Sequence, residues 1–176
     1  MKRTMKKLVG LTAVVALLVF VVARVRANDS LLPVGAAAPE VVGKDAAGTA
    51  VKLSALKGHF AVVYFYPKDE TAGCTKEACA FRDASDKFVK AGVTIFAVSR
   101  QDEASHKGFR EHYHLPFPMV ADTSGALQRA YGVPSAMPGL EIAARVTFLV
   151  GPDGKIAQAH PKVSVKSHPK EILESL

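Results

Sequence analysis

Cysteine is scarce in this 176-residue chain: there are two, Cys74 and Cys79. Two cysteines cannot make the multi-bridge framework that staples small secreted domains. Nor can they alone complete a four-ligand structural zinc site. The Cys-x2-Cys pair of thiol–disulfide exchange proteins is absent. The six histidines (59, 106, 112, 114, 160 and 168) include no pair four apart, so no helix face presents two of them together; solvated or core roles are expected for all six. There is no low-complexity tract and no internal repeat.

Charge is also lacking where it would matter. The net charge of +7 comes almost entirely from residues 1–27, which hold six cations and no acid. Residues 28–176 carry 17 Lys and Arg against 16 Asp and Glu. A nucleic-acid surface needs a clustered basic excess, and the body has none.

The leader combines a basic start, MKRTMKK, with an uncharged run from Leu8 to Ala23. A secretory signal has an apolar core of roughly 7–15 residues, and a membrane-spanning helix needs about 17–25. The run lies between these ranges, so 1–27 reads as a signal peptide or an inner-membrane anchor. The cations ahead of it keep the N-terminus cytoplasmic, and the body is expected on the periplasmic side. Residues 28–38 read as a linker and 39–176 as the domain.

Within that domain, HFAVVYFYP is a continuous apolar run, as in a buried strand. Thr75 to Ala91 has helical spacing, with Ala78, Phe81, Ser85, Phe88 and Val89 on one side. A second strand, VTIFAVS, follows. Further on come a helix opened by Asp102, a short strand, a short helix closed by Gly132, two strands joined at Pro152-Asp153-Gly154, and a terminal helix with Pro169 in its first turn. Ahead of them all, Gly48 divides a hairpin. This alternation predicts an α/β fold with helices on both faces of the sheet. A thioredoxin-like architecture, with a central mixed β-sheet, fits.

The two cysteines admit three roles. As a staple they fail while the helix is intact: residues five apart are rotated by about 140° and separated by about 7.5 Å of rise. A disulfide needs Cα atoms within about 6.8 Å. As metal ligands they are too few and too widely spaced. Redox chemistry fits better. Cys74 follows Ala72-Gly73, read as a tight turn, and sits at the helix N-cap or first turn. Unpaired N–H groups and the positive helix end favour a thiolate there. Cys79 lies deeper, as a resolving thiol would. A bond between them requires the helix start to unwind.

The segment FYPKDETAGCTKEACAFRD resembles the active-site segment of the peroxiredoxins, in particular the bacterioferritin-comigratory-protein or PrxQ type. Their motif Pro-x-x-x-Thr-x-x-Cys is matched by Pro67, Thr71 and Cys74. The likeness continues through AVSRQDEASHKGFREHYHLPFPMVAD, RAYGV and ARVTFLVGPDGKI, and covers about residues 34–175. The resemblance implies a thioredoxin-like fold and a thiol peroxidase without metal or cofactor. It implies Cys74 as peroxidatic nucleophile, Cys79 as resolving partner in a Cys74–Cys79 disulfide, and Thr71, Arg145 and Pro67 around the reacting sulfur. Gly73 supports the site. Glu77 either caps the helix or orients Arg145. Substrates would be hydrogen peroxide or organic hydroperoxides, and the reductant thioredoxin or a thioredoxin-like protein. A monomer or weak dimer is expected, because an internal resolving cysteine removes the need for a partner. Two positions depart from the family's habit: Ala72 where proline is common, and Arg100 where a small or aliphatic residue is usual. The competing class is a membrane-anchored, thioredoxin-fold copper carrier, which would want Cys-x3-Cys and a late histidine such as His160.

Overall fold

A computed structural model describes residues 30–176. The apolar leader lies outside the described residues; among these, no helix is long and apolar enough to cross a membrane.

The run AVVYF, Ala61–Phe65 (β3), is buried at every position. Alternation sends its side chains to two different cores. Val62 and Tyr64 join one cluster; Ala61, Val63 and Phe65 join the other. This strand is therefore covered on both faces. It pairs in parallel with Thr94–Ser99 (β4) and antiparallel with Val146–Val150 (β6). Strands Val42–Lys44 (β1), Ala50–Lys52 (β2), Met119–Ala121 (β5) and Ile156–His160 (β7) complete a mixed sheet ordered β2-β1-β5-β4-β3-β6-β7. The hairpin turn at Gly48 and the β6–β7 turn at Gly154 use positive φ, 80° and 76°, which glycine adopts without steric cost.

Helices Ala72–Asp83 (α1), Ser85–Lys90 (α2), Glu103–Tyr113 (α3) and His168–Glu174 (α5) contribute Phe81, Phe88, Phe109 and Ile172 to the Tyr64 face. Tyr131, just past Ala126–Ala130 (α4), packs on the Phe65 face. The architecture is the thioredoxin-like α/β sandwich expected.

Two expectations need correction. The helix predicted over Thr75–Ala91 is broken at Ala84 (φ −96°, ψ −1°). Alanine carries no breaker signal; the break accompanies the packing of Phe81 against Phe88, centroids 5.8 Å apart. It turns Val89 outward, 74% exposed, and leaves Ser85 only half-buried. The stretch read as a linker is docked rather than free. Gly35 and Ala38 donate backbone bonds to Ile156 and Gly154, and Ala37 bridges Lys155. Leu31 and Leu32 pack on the Phe65-side core, which removes their apolar surface from water.

The start of α5 holds an acid-sensitive group. His168 is buried, edge-on to Phe81 and 5.2 Å from the His160 ring centroid. Burial first, then the neighbouring His160, lowers its pKa from 6.5 to about 4, against the pull of Glu171. The folded pKa lies below the unfolded one. Stability is therefore retained above about pH 6.5 and lost as pH falls toward 4, by up to about 1.4 kcal/mol per pH unit. His168→Gln is expected to lose less stability than wild type between pH 7 and 4.5, read from urea midpoints at the two values.

Candidate active site

Strand β3 ends at Phe65, and the chain turns over Pro67–Thr71 into α1. Glu70 makes the turn with φ 60°, a conformation that costs a non-glycine residue about 1 kcal/mol or more. Thr71 then returns to extended backbone (φ −82°, ψ 147°) as the N-cap. The tight turn thus lies at Asp69–Glu70 and not at Ala72-Gly73, which are the first two helical residues. Ala72 stands at N1, a position that would accept proline: its N–H has no intrahelical partner to lose, and an extended residue precedes it.

Cys74 is the third helical residue, among the N–H groups that no carbonyl of the helix can satisfy. It is 2% exposed. The thiol meets a guanidinium: Arg145 Nη2 donates to Cys74 Sγ at 3.3 Å. Arg145 comes from the residue just before β6, whose antiparallel pairing sets Val146 opposite Phe65. The sheet register thereby brings a residue 71 positions away onto the helix start. Gly73 leaves room for it, since a Cβ there would stand 3.3 Å from Arg145 Nη2.

Arg145 Nη1 is paired with Glu77 Oε2. Glu77 is fully buried, so it is not the exposed capping acid; of its two expected roles, the structure has the contact with Arg145. The helix begins three residues earlier than a cap at Cys74 would require, its N-cap being Thr71, which moves Glu77 inward. Burial raises the Glu77 carboxyl to about 7, and Arg145 restrains the rise. Glu77 Oε1 and the Tyr64 hydroxyl, both buried, have no protein partner. Burial, and then Glu77, holds the Tyr64 phenol well above its ordinary value.

The Thr71 hydroxyl donates to the Lys68 carbonyl at 2.9 Å. Pro67 is half-buried at the strand exit. Cys79 lies further along α1, half-buried, and both cysteines are free thiols. Arg100 reaches the loop ahead of Arg145, bonding Glu141 at 3.1 Å and the Thr123 carbonyl at 3.2 Å. His160 lies beside His168, ring centroids 5.2 Å apart; among the described residues, no group of three or more His, Cys, Asp or Glu is arranged to hold a metal.

Sequence reasoning missed Asp69. It is 3% exposed inside an otherwise exposed turn. Tyr66 donates to Oδ1 at 2.6 Å, and Ser105 donates to Oδ2 at 2.7 Å. His106 Nδ1 lies 2.9 Å from Oδ2. Burial pushes the carboxyl up, but the bonds from His106, Tyr66 and Ser105 outweigh it and hold Asp69 below its ordinary value. An acid in a polar loop, with partners 36 and 37 residues downstream, leaves no local signal.

Residues 34–159 match the AhpC/TSA family. The chain belongs to that family. Among its relatives is chloroplastic peroxiredoxin Q of Oryza sativa subsp. japonica, 45% identical over 122 residues, 69% of this chain and 56% of the rice protein. The chain thus spans about half the length of such plant relatives. A protein assigned as peroxiredoxin bcp in Coxiella burnetii is 37% identical over 152 residues, 82% of this chain and 99% of that one. The solved structure of Xanthomonas campestris peroxiredoxin Q superposes with a TM-score of 0.72 at 38% identity, covering 84% of this chain and 96% of the other. Family members of the Q/bcp type are therefore its neighbours in both sequence and fold.

Proposed function

We propose that this chain is a thiol peroxidase in which Cys74 is the peroxidatic nucleophile. The observation that carries the reading is the Arg145 guanidinium, 3.3 Å from the Cys74 sulfur and paired on its other side with buried Glu77. A fixed cation at that distance stabilises negative charge on sulfur and on the oxygen that leaves. The thiolate attacks one peroxide oxygen in line. The O–O bond breaks, the other oxygen leaves as alkoxide or hydroxide and takes a proton, and Cys74 becomes a sulfenic acid. Thr71, beside the helix start, orients the peroxide, and Pro67 shields the sulfur from water.

In the second step the Cys79 thiol attacks the sulfenic sulfur. The S–S bond forms and water leaves. An external dithiol, thioredoxin or a thioredoxin-like protein, then supplies two electrons and restores both thiols. Organic hydroperoxides are included as substrates. A Xanthomonas campestris bacterioferritin comigratory protein, 37% identical with a TM-score of 0.69, is described by its alkyl peroxide reduction activity. The cationic, apolar leader supports placement on the periplasmic side of the inner membrane, and the internal cysteine pair supports a monomer or weak dimer.

Stopped-flow mixing of reduced protein with hydrogen peroxide or cumene hydroperoxide tests the reading. Wild type is expected to consume one equivalent; Cys74→Ser should consume none. Equal consumption by the two proteins would sink it.

A further inference from the structure

We propose that Asp69 is a positioning residue for peroxide attack: it fixes the Pro67–Thr71 turn, and with it the Thr71 hydroxyl, against the α3 side of the sheet. The inference rests on the peroxidase reading. Lys68, Glu70 and Thr71 are exposed and Pro67 is half-buried, so Asp69 is the turn's one buried side chain. All of its partners lie outside the turn. Tyr66 follows β3, and its backbone N–H is tied to Val98 of β4 at 3.0 Å. Ser105 and His106 come from the first turn of α3. The Asp69 backbone N–H donates to Gln101 Oε1 at 2.6 Å. His106 is tied in turn to β5, its Nε2 lying 3.1 Å from the Val120 carbonyl. One carboxylate thus indexes the turn to three strands and a helix.

The link to chemistry is short. The Thr71 hydroxyl is aimed by its bond to the Lys68 carbonyl, and Lys68 is the residue next to Asp69. If Asp69 is released, that carbonyl and the strained Glu70 are free to rotate, and Thr71 loses its direction. The anchor also lies outside the 74–79 segment that must unwind for the disulfide, so it offers the helix start a fixed point to refold from. A misplacement of about 1 Å is enough to cost roughly 10²-fold in rate.

The test uses full-length Cys79→Ser protein, so that Cys74 is the only thiol. Oxidation by hydrogen peroxide and alkylation by iodoacetamide are timed for this background and for Asp69→Asn within it. Alkylation needs the thiol but not an aligned peroxide, so a merely structural change would move both rates together. The ratio of peroxide rate to alkylation rate is expected to fall about 10²-fold. A fall of less than about tenfold overturns the proposal. Tyr66→Phe keeps the ring and removes one bond to Asp69. If Asp69→Asn does not fold, Tyr66→Phe decides: a ratio lowered about threefold or more supports the role, and a smaller change overturns it. Failure of the background protein itself to react with peroxide would defeat the peroxidase reading, and this inference with it; normal background reactivity with an unmoved ratio defeats the inference alone.

Discussion

Arg145→Met is expected to slow the oxidation of Cys74 by peroxide about 10²–10³-fold, the usual loss when a fixed donor to a developing charge is removed. Methionine preserves most of the side-chain length and deletes both contacts, Nη2 to sulfur and Nη1 to Glu77. Arg145→Lys should not rescue, because one ammonium cannot reproduce a planar fork that serves two partners. Stability adds a pH signature. The folded pKa of Glu77, about 7, is already above its unfolded value of 4.5. A carboxyl raised in this way favours folding most below pH 4.5, and that contribution is lost as pH rises through 7. Without Arg145 the carboxyl rises further. The variant should therefore lose more stability than wild type between pH 6 and 8, by up to about 1.4 kcal/mol per pH unit. Stopped-flow rates and urea midpoints at the two pH values check both parts.

The second large effect is expected on oxidation. Cys74 and Cys79 lie five apart on an intact helix, where the rise is about 7.5 Å and the angular offset about 140°. A disulfide tolerates neither. Oxidised protein is expected to lose amide hydrogen-exchange protection over residues 75–80 by about 10²-fold or more, as local opening replaces helical bonds. The bond from Thr75 N–H to the Thr71 carbonyl, 2.8 Å in the reduced form, should be among those lost. Glu77 lies within this segment, so oxidation should also part it from Arg145. Protection in β3 and β4, which hold both cores together, should stay near its reduced value. Reduction by dithiothreitol should restore the pattern.

Much of this was legible in the sequence because it rests on local patterns. The buried run AVVYF and the turn Pro152-Asp153-Gly154 announce themselves by composition and spacing. The order of strands and helices followed from such stretches, and so did the place of Cys74 near a helix start. Arg145 was legible only through resemblance: nothing near it in the chain points to Cys74, and the β3–β6 register makes the contact. Glu77 was ambiguous because its role depends on where the helix begins, a matter of three residues decided by the Asp69–Glu70 turn. Leu31 and Leu32 looked like linker because two leucines carry no periodicity. The break at Ala84 and the Asp69 anchor are products of packing between segments far apart in sequence, where local propensity is silent.

Cys74 and Cys79 are proposed to act as one peroxide-driven couple. Intact mass of the reduced protein, measured after about one equivalent of hydrogen peroxide, tests it most directly. Wild type should lose two hydrogens, and Cys79→Ser should gain one oxygen that a sulfenic-acid reagent traps. Two unchanged thiols in wild type after minutes of exposure would contradict it, as would an added oxygen in wild type with no disulfide.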